Sequence, residues 1–178
     1  RPRLLAFLLA LACLCSAAGA RAETISKEYQ LKAAFLYNFS KFTQWPEQSF
    51  ANETSPIVIA VLGPSPFGDE LEKIVEARVV NGRPIRVRRI DSATDLASAH
   101  IVYVAAGAEP LLGATIHGLP GVLTVGETAD FAARGGIVRF TLVEEKVRFE
   151  INQGSAEKAG LKLSGQLLKL ATLIRKAP

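Results

Sequence analysis

The residue types that could do chemistry are few and scattered. The two histidines, His100 and His117, lie 17 residues apart. The two cysteines, Cys13 and Cys15, both fall in an apolar leader. A metal site would have to draw carboxylates from elsewhere, and a thiolate site is excluded beyond residue 15. Gly63 and Gly68 have phosphate-loop spacing. Asp69-Glu70 stands where Lys-Ser/Thr would meet phosphate and magnesium, so the loop repels a nucleotide. It reads as a tight connection, or as one wall of a site for a small non-phosphate ligand. Ser65 sits between Pro64 and Pro66, but no G-x-S-x-G motif places it on a nucleophile elbow. Glu144-Glu145 are adjacent and read as a solvated turn. A hydrolase could call only on Ser65 and scattered carboxylates such as Glu150. No constellation demands catalysis, and no metal or cofactor is implied.

The aromatic residues carry a stronger signal. Tyr29, Phe35, Tyr37, Phe39, Phe42 and Trp45 are crowded into one short stretch. Leu31, Phe35, Phe39 and Phe42 recur at helical spacing. Core packing accounts for most of them. The aromatics encircle more of the helix than one buried stripe needs, so Tyr29, Phe35, Tyr37 and Trp45 are candidate partner- or ligand-binding residues.

The elements that must position these residues follow from periodicity. A helix is predicted from Thr24 to Trp45, stopped by Pro46. Strands are predicted at Ile57–Leu62, Pro84–Ile90, His100–Ala105 and Val122–Val125. Helices are predicted at Asp69–Ala77, Ala93–Ala97 and Glu109–Ile116, and after a Thr128 cap as far as Gly135-Gly136. Asn81-Gly82 is a turn signal. Ile137–Leu142 and Lys146–Ile151 form a hairpin across Val143-Glu144-Glu145. A short helix at Ser155–Ala159 and an amphipathic helix at Leu163–Lys176 close the chain. Strands alternating with helices imply an α/β fold. The expected architecture is a single-domain three-layer sandwich, a mostly parallel sheet with a C-terminal antiparallel hairpin, flanked by helices. No repeat or linker divides it.

The first residues read as an address. Arg1 and Arg3 precede an apolar run from Leu4 to Leu14, and small residues follow to Ala22. This is the order of a secretory signal peptide, assigned to residues 1–22, with an alternative cleavage after Ala20. The run is short of the roughly 20 apolar residues of a membrane span. Removing it takes away Arg1, Arg3 and Arg21 and no acid, which leaves 18 basic against 17 acidic side chains. A near-neutral, thiol-free domain argues against nucleic-acid and redox roles. About 155 residues suffice for a core without disulfides.

Three ordered blocks then carry a resemblance. The first is Leu31-Lys32-Ala33-Ala34-Phe35-Leu36-Tyr37-Asn38-Phe39-Ser40-Lys41-Phe42 with Trp45-Pro46. The second is Val61-Leu62-Gly63, Pro66-Phe67-Gly68 and Val80-Asn81-Gly82-Arg83-Pro84. The third is Phe149-Glu150-Ile151-Asn152, Ala159-Gly160-Leu161-Lys162-Leu163-Ser164 and Leu167-Leu168 with Leu170-Ala171. Residues 24–176 thereby resemble the YfiR-like family. The resemblance implies an exported, non-catalytic α/β regulator, located in the periplasm. It implies binding to the periplasmic part of an inner-membrane diguanylate cyclase or sensor, with control of cyclic di-GMP and biofilm. An outer-membrane lipoprotein as sequestering partner and a homodimer are implied too. Some relatives carry cysteines in the folded domain; this chain has none there. Within the closing block, Glu150, Asn152 and Lys162 are further candidate binding residues. Their alternative is structural, with Asn152 capping the next helix and Glu150 pairing with a base. The rival function is a periplasmic small-molecule-binding or sensor accessory module.

Overall fold

The computed structural model describes residues 27–96, 98–113 and 119–174. The stretch read as a signal peptide, His117 and the last four residues lie outside them.

A helix, α1, occupies residues 27–42. It buries Ala33, Leu36, Phe39 and Ser40 completely, at the three- and four-residue spacing of one face. The predicted helix to Trp45 is too long. The chain straightens at β1 (Thr43–Gln44), which pairs antiparallel with β9 (Lys162–Leu163). β-branched Thr43 suits extended backbone, and the Phe42 carbonyl accepts the Ser164 N–H. A 3₁₀ turn at Glu47–Ser49 follows Pro46.

The main sheet holds β2 (Ile57–Leu62), β3 (Val79–Val80), β4 (Arg83–Ile90), β5 (Ile101–Val104), β6 (Leu123–Gly126), β7 (Val138–Val143), β8 (Lys146–Asn152) and β10 (Thr172–Ile174). Its spatial order is β10-β8-β7-β6-β5-β2-β4-β3. β4, β2, β5, β6 and β7 run parallel to one another, while β3–β4 and β7–β8 are antiparallel hairpins. All four residues of β5 are buried, so both faces of the sheet are covered, as a parallel α/β sheet requires. The mostly parallel sheet with flanking helices is the architecture that alternating elements implied. Order reverses at β2: the chain moves outward to β4, then crosses back to β5.

The intervening helices are short: α2 (Glu70–Val75), α3 (Glu109–Leu112), α4 (Gln153–Lys158) and α5 (Gly165–Leu170). The Ala93–Ala97 helix is a 3₁₀ turn, Ala93–Leu96. Helix α3 ends at Gly113, whose φ of 53° leaves the helical region; residues 114–116 of its expected span are not described. Asn81 (φ 52°) and Gly82 (φ 79°) form the two-residue turn of the β3–β4 hairpin.

Two helix expectations fail. After β6 the chain makes successive turns, not the helix expected between Thr128 and Gly135. Phe131 is driven into the core between Gly126 and Gly136, where a Cβ on either glycine would lie within 2.5 Å of its ring. That packing bends the segment out of regular helix. The C-terminal amphipathic helix also stops early. Ser164 caps it, its Oγ accepting the Leu167 N–H at 3.2 Å. Ala171 then turns extended and Thr172–Ile174 pairs parallel with β8. The outer edge of β8 supplies hydrogen bonds that the helix period cannot foresee, and β10, rather than the hairpin, forms that edge of the sheet.

Candidate functional site

The densest polar constellation lies where α1 crosses the carboxyl ends of the parallel strands. Lys32 is 2 % exposed although it stands on the apolar face of α1, four residues before Leu36. Its ammonium is held by Glu28 one turn earlier and by Glu127, just after β6, at 2.8 Å. Tyr103 of β5, fully buried, donates its hydroxyl to the other Glu127 oxygen. The Lys32 ammonium also lies 4.5 Å above the Tyr29 ring. A buried cation must be paired to survive desolvation. Burial pulls the Lys32 pKa down, but the bonds to Glu127 and Glu28 outweigh it and raise the value above the ordinary lysine range. Burial, then the Glu127 charge, pushes the Tyr103 and Tyr29 phenols up. Lys32 is therefore an ammonium and both tyrosines are neutral donors at neutral pH.

This cluster opens into a groove of about 490 Å³. Its other charged lining is the pair Arg139–Glu150, joined at 2.7 Å across the β7–β8 hairpin. Glu150 holds Arg139 protonated, raising its pKa. Three carboxylates thus face two cations.

A second groove, about 750 Å³, lies at the amino ends of the strands, with Trp45, Phe50, Arg83 and Thr43 in its wall. The Arg83 guanidinium stacks 3.7 Å from the Phe50 ring centre and donates to the Asn52 and Ser55 carbonyls. The Thr43 hydroxyl is buried without a hydrogen-bond partner among the described residues. Behind this wall, His100 is 3 % exposed. Its Nδ1 accepts the Val58 N–H at 3.1 Å, and Nε2 meets the Ser49 carbonyl at 3.1 Å, which sets the neutral Nε2–H tautomer. Burial lowers its pKa, with the nearby Arg83 charge acting the same way against the Ser49 bond. The ring is a bracket between β2 and the 3₁₀ turn.

The seven candidates from sequence do not form one site. Glu150 lines the first groove, and Tyr29 lies behind it, under the Lys32 ammonium. Trp45 borders the second and donates its indole N–H to the His100 carbonyl. Lys162 is exposed on β9, opposite Gln44 of β1. Tyr37 lies under the Arg78 guanidinium at 4.7 Å. Phe35 packs on Phe39, Phe140 and Phe149, with centroids 5.3–6.2 Å apart. Asn152 is buried; its Oδ1 caps α4 through Ser155 N–H and its Nδ2 donates to the Ala132 carbonyl, both at 3.0 Å. The crevice beside Gly63–Gly68 is filled from within the same loop: Phe67 is buried edge-on against Tyr103 and Tyr29. Sequence reasoning missed Lys32, Glu127 and Tyr103. A lysine in the apolar stripe of α1 was the available signal. Among the described residues no group of three or more His, Cys, Asp or Glu could hold a metal.

Solved structures offer distant likenesses. A conserved domain protein from Vibrio cholerae O1 biovar El Tor superposes with a TM-score of 0.44 at 12 % identity, over 66 % of this chain and 54 % of that one. The ABC domain in complex with L-Trp from Streptococcus pneumonia gives 0.43 at 11 % identity, over 66 % and 55 %. The chain spans about half the length of each. No curated protein matches it. The family model described as DUF4154, YfiR/HmsC-like, matches residues 29–172, from the aromatic helix to the last strand, and the chain belongs to that family.

Proposed function

We propose that this protein is a periplasmic regulatory binding protein that restrains an inner-membrane diguanylate cyclase by binding its periplasmic part. The observation that carries this reading is the family match across residues 29–172. The family is regulatory rather than catalytic, which is consistent with a periplasmic regulator of cyclic di-GMP signalling. The geometry suits binding better than turnover. Lys32, Glu127 and Tyr103 satisfy one another, as do Arg139 and Glu150, so neither group offers an unengaged base or nucleophile. Restraint requires tighter binding to the inactive state of the cyclase, because equal affinity for both states shifts nothing. An outer-membrane lipoprotein that competes for the regulator, and a homodimer, belong to the same proposal.

The test is cellular cyclic di-GMP with and without the gene, followed by deletion of each diguanylate cyclase in the gene-less strain. The level rises on deletion, and loss of one cyclase abolishes the rise. An unchanged level while the cyclases are expressed sinks the reading.

A second reading, a small-molecule sensor module, draws on the Trp45–Phe50–Arg83 groove and the unpartnered Thr43 hydroxyl in its wall. A thermal-shift screen with amino acids and aromatic metabolites tests it; stabilisation lost in Trp45→Ala supports it, and uniform absence of stabilisation removes it.

A further inference from the structure

The free edge of a strand lies inside the charged groove. Strand β6 ends at Gly126, whose partner on β7 is Arg139. Strand β7 continues from Phe140 to Val143, still paired with β8 on its other side. Along those residues the side that faced β6 has no strand partner among the described residues. Arg139 to Val143 all line the 490 Å³ groove. Consecutive strand residues point to opposite faces. Five in a row can share one groove only if it runs along the strand's edge.

This edge lacks the usual protection. Phe140-Thr141-Leu142-Val143 contains no charge and no proline, and Leu142 and Val143 are each 54 % exposed. Unprotected edges of this kind pair with strands of other chains. The groove beside it has an excess of carboxylate, with Glu28, Glu127 and Glu150 against Lys32 and Arg139. Charge complementarity therefore selects a basic visitor.

We propose that an extended segment of the regulated partner adds as a strand to β7 at residues 140–143, with apolar side chains on Leu142 and Val143 and a Lys or Arg entering the groove. This rests on the regulatory-binding reading and deepens it: main-chain bonds supply affinity, and the acidic groove supplies choice of partner.

The probe is the purified periplasmic part of the cyclase identified by the deletion series, titrated against the mature protein by calorimetry. Leu142→Arg and Val143→Arg change exposed positions and put positive charge beside the groove. Each weakens binding at least tenfold while the thermal midpoint stays within 2 °C (about 0.5–1 kcal/mol for a domain of this size). Val79→Arg, equally exposed on β3, leaves binding within twofold. Wild-type affinity falls as salt rises. A Val143→Cys variant carrying a photo-crosslinker, in a domain otherwise free of thiols, joins to the cyclase fragment, and the Val79→Cys counterpart does not. Groove variants that bind as wild type, or cross-linking at Val79→Cys alone, overturn the inference and leave the regulatory reading standing. A wild-type protein that does not bind the fragment at all sinks both. A monomer–dimer equilibrium abolished by Leu142→Arg assigns the edge to a second copy and also overturns it.

Discussion

Replacing Lys32 by methionine tests how much of the fold hangs on one buried charge. The side chain is 3 % exposed and sits between two carboxylates whose own side chains are about one-fifth exposed. Methionine fills similar volume without charge, so packing against the Tyr29 and Phe140 rings survives. Glu28 and Glu127 are left facing each other with no cation between them, and Glu127 keeps the tyrosine hydroxyls of Tyr103 and Tyr29. Removing one partner of a buried pair costs about 3–5 kcal/mol. Partial exposure of both carboxylates places this case at the low end, about 3 kcal/mol. For a domain of this size that is a fall of roughly 6–12 °C in thermal midpoint. The double variant Lys32→Met/Glu127→Gln removes one of the two stranded charges, and with it their mutual repulsion, and recovers at least half of the loss. The pH dependence has a definite sign. Lys32 has a raised pKa in the folded state, so its stabilisation is fully present below the ordinary lysine value near 10.4 and is lost as pH rises through the folded value. Urea unfolding of wild type and both variants at pH 7 and at about pH 11.5 measures all of this, the pH-dependent loss appearing in wild type alone. A Lys32→Met protein within 1 kcal/mol of wild type at pH 7 refutes the claim that the cluster pins α1 to the sheet.

Three further outcomes follow from the geometry. His100 has a lowered pKa, so its contribution is complete above the unfolded value near 6.5 and is lost as pH falls through the window below it; protonation also places an N–H against the Val58 donor. Wild-type stability then drops between pH 7 and pH 5 by at most about 1.4 kcal/mol per pH unit from this group, and the slope attributable to it disappears in His100→Gln, read by thermal melts across that range. Asn152→Ala removes the α4 cap and the bond to the Ala132 carbonyl, with an expected loss of about 2–3 kcal/mol in urea unfolding and no change in m-value. Gly136→Ala drives a methyl to 2.3 Å from the Phe131 ring and costs about 1–3 kcal/mol, a loss that Phe131→Leu partly relieves in the double variant.

Much of the fold is legible one residue at a time, because period-two and helical spacing record which side of an element is buried. The runs Ile57–Leu62 and Ile101–Val104 announce a parallel sheet covered on both faces, and Asn81-Gly82 announces a tight turn. Asn152 could be read as a cap, because Ser155 lies three residues beyond it. The aromatic crowd on α1 was read less well. Phe35 spends itself on Phe140 and Phe149, which are distant in sequence and adjacent only because β7 pairs with β8 in that register.

What the sequence by itself determined is the class of molecule: a near-neutral, thiol-free α/β domain with the blocks of a regulatory family and a leader that reads as an export signal. Tertiary structure alone decided where its polar chemistry converges. Lys32 gains Glu127 and Tyr103 from chain segments about 95 and 71 residues away, because parallel strands bring their carboxyl ends to one edge of the sheet. It also decided that Thr172–Ile174 is a strand. The helical period of Leu163, Leu167, Leu170 and Ile174 is a local preference, and the unpaired edge of β8 overrode it with hydrogen bonds that no local pattern encodes. The open edge of β7 has the same origin: β6 stops one register position after the two strands meet, and only the assembled sheet shows which backbone is left without a strand partner among the described residues.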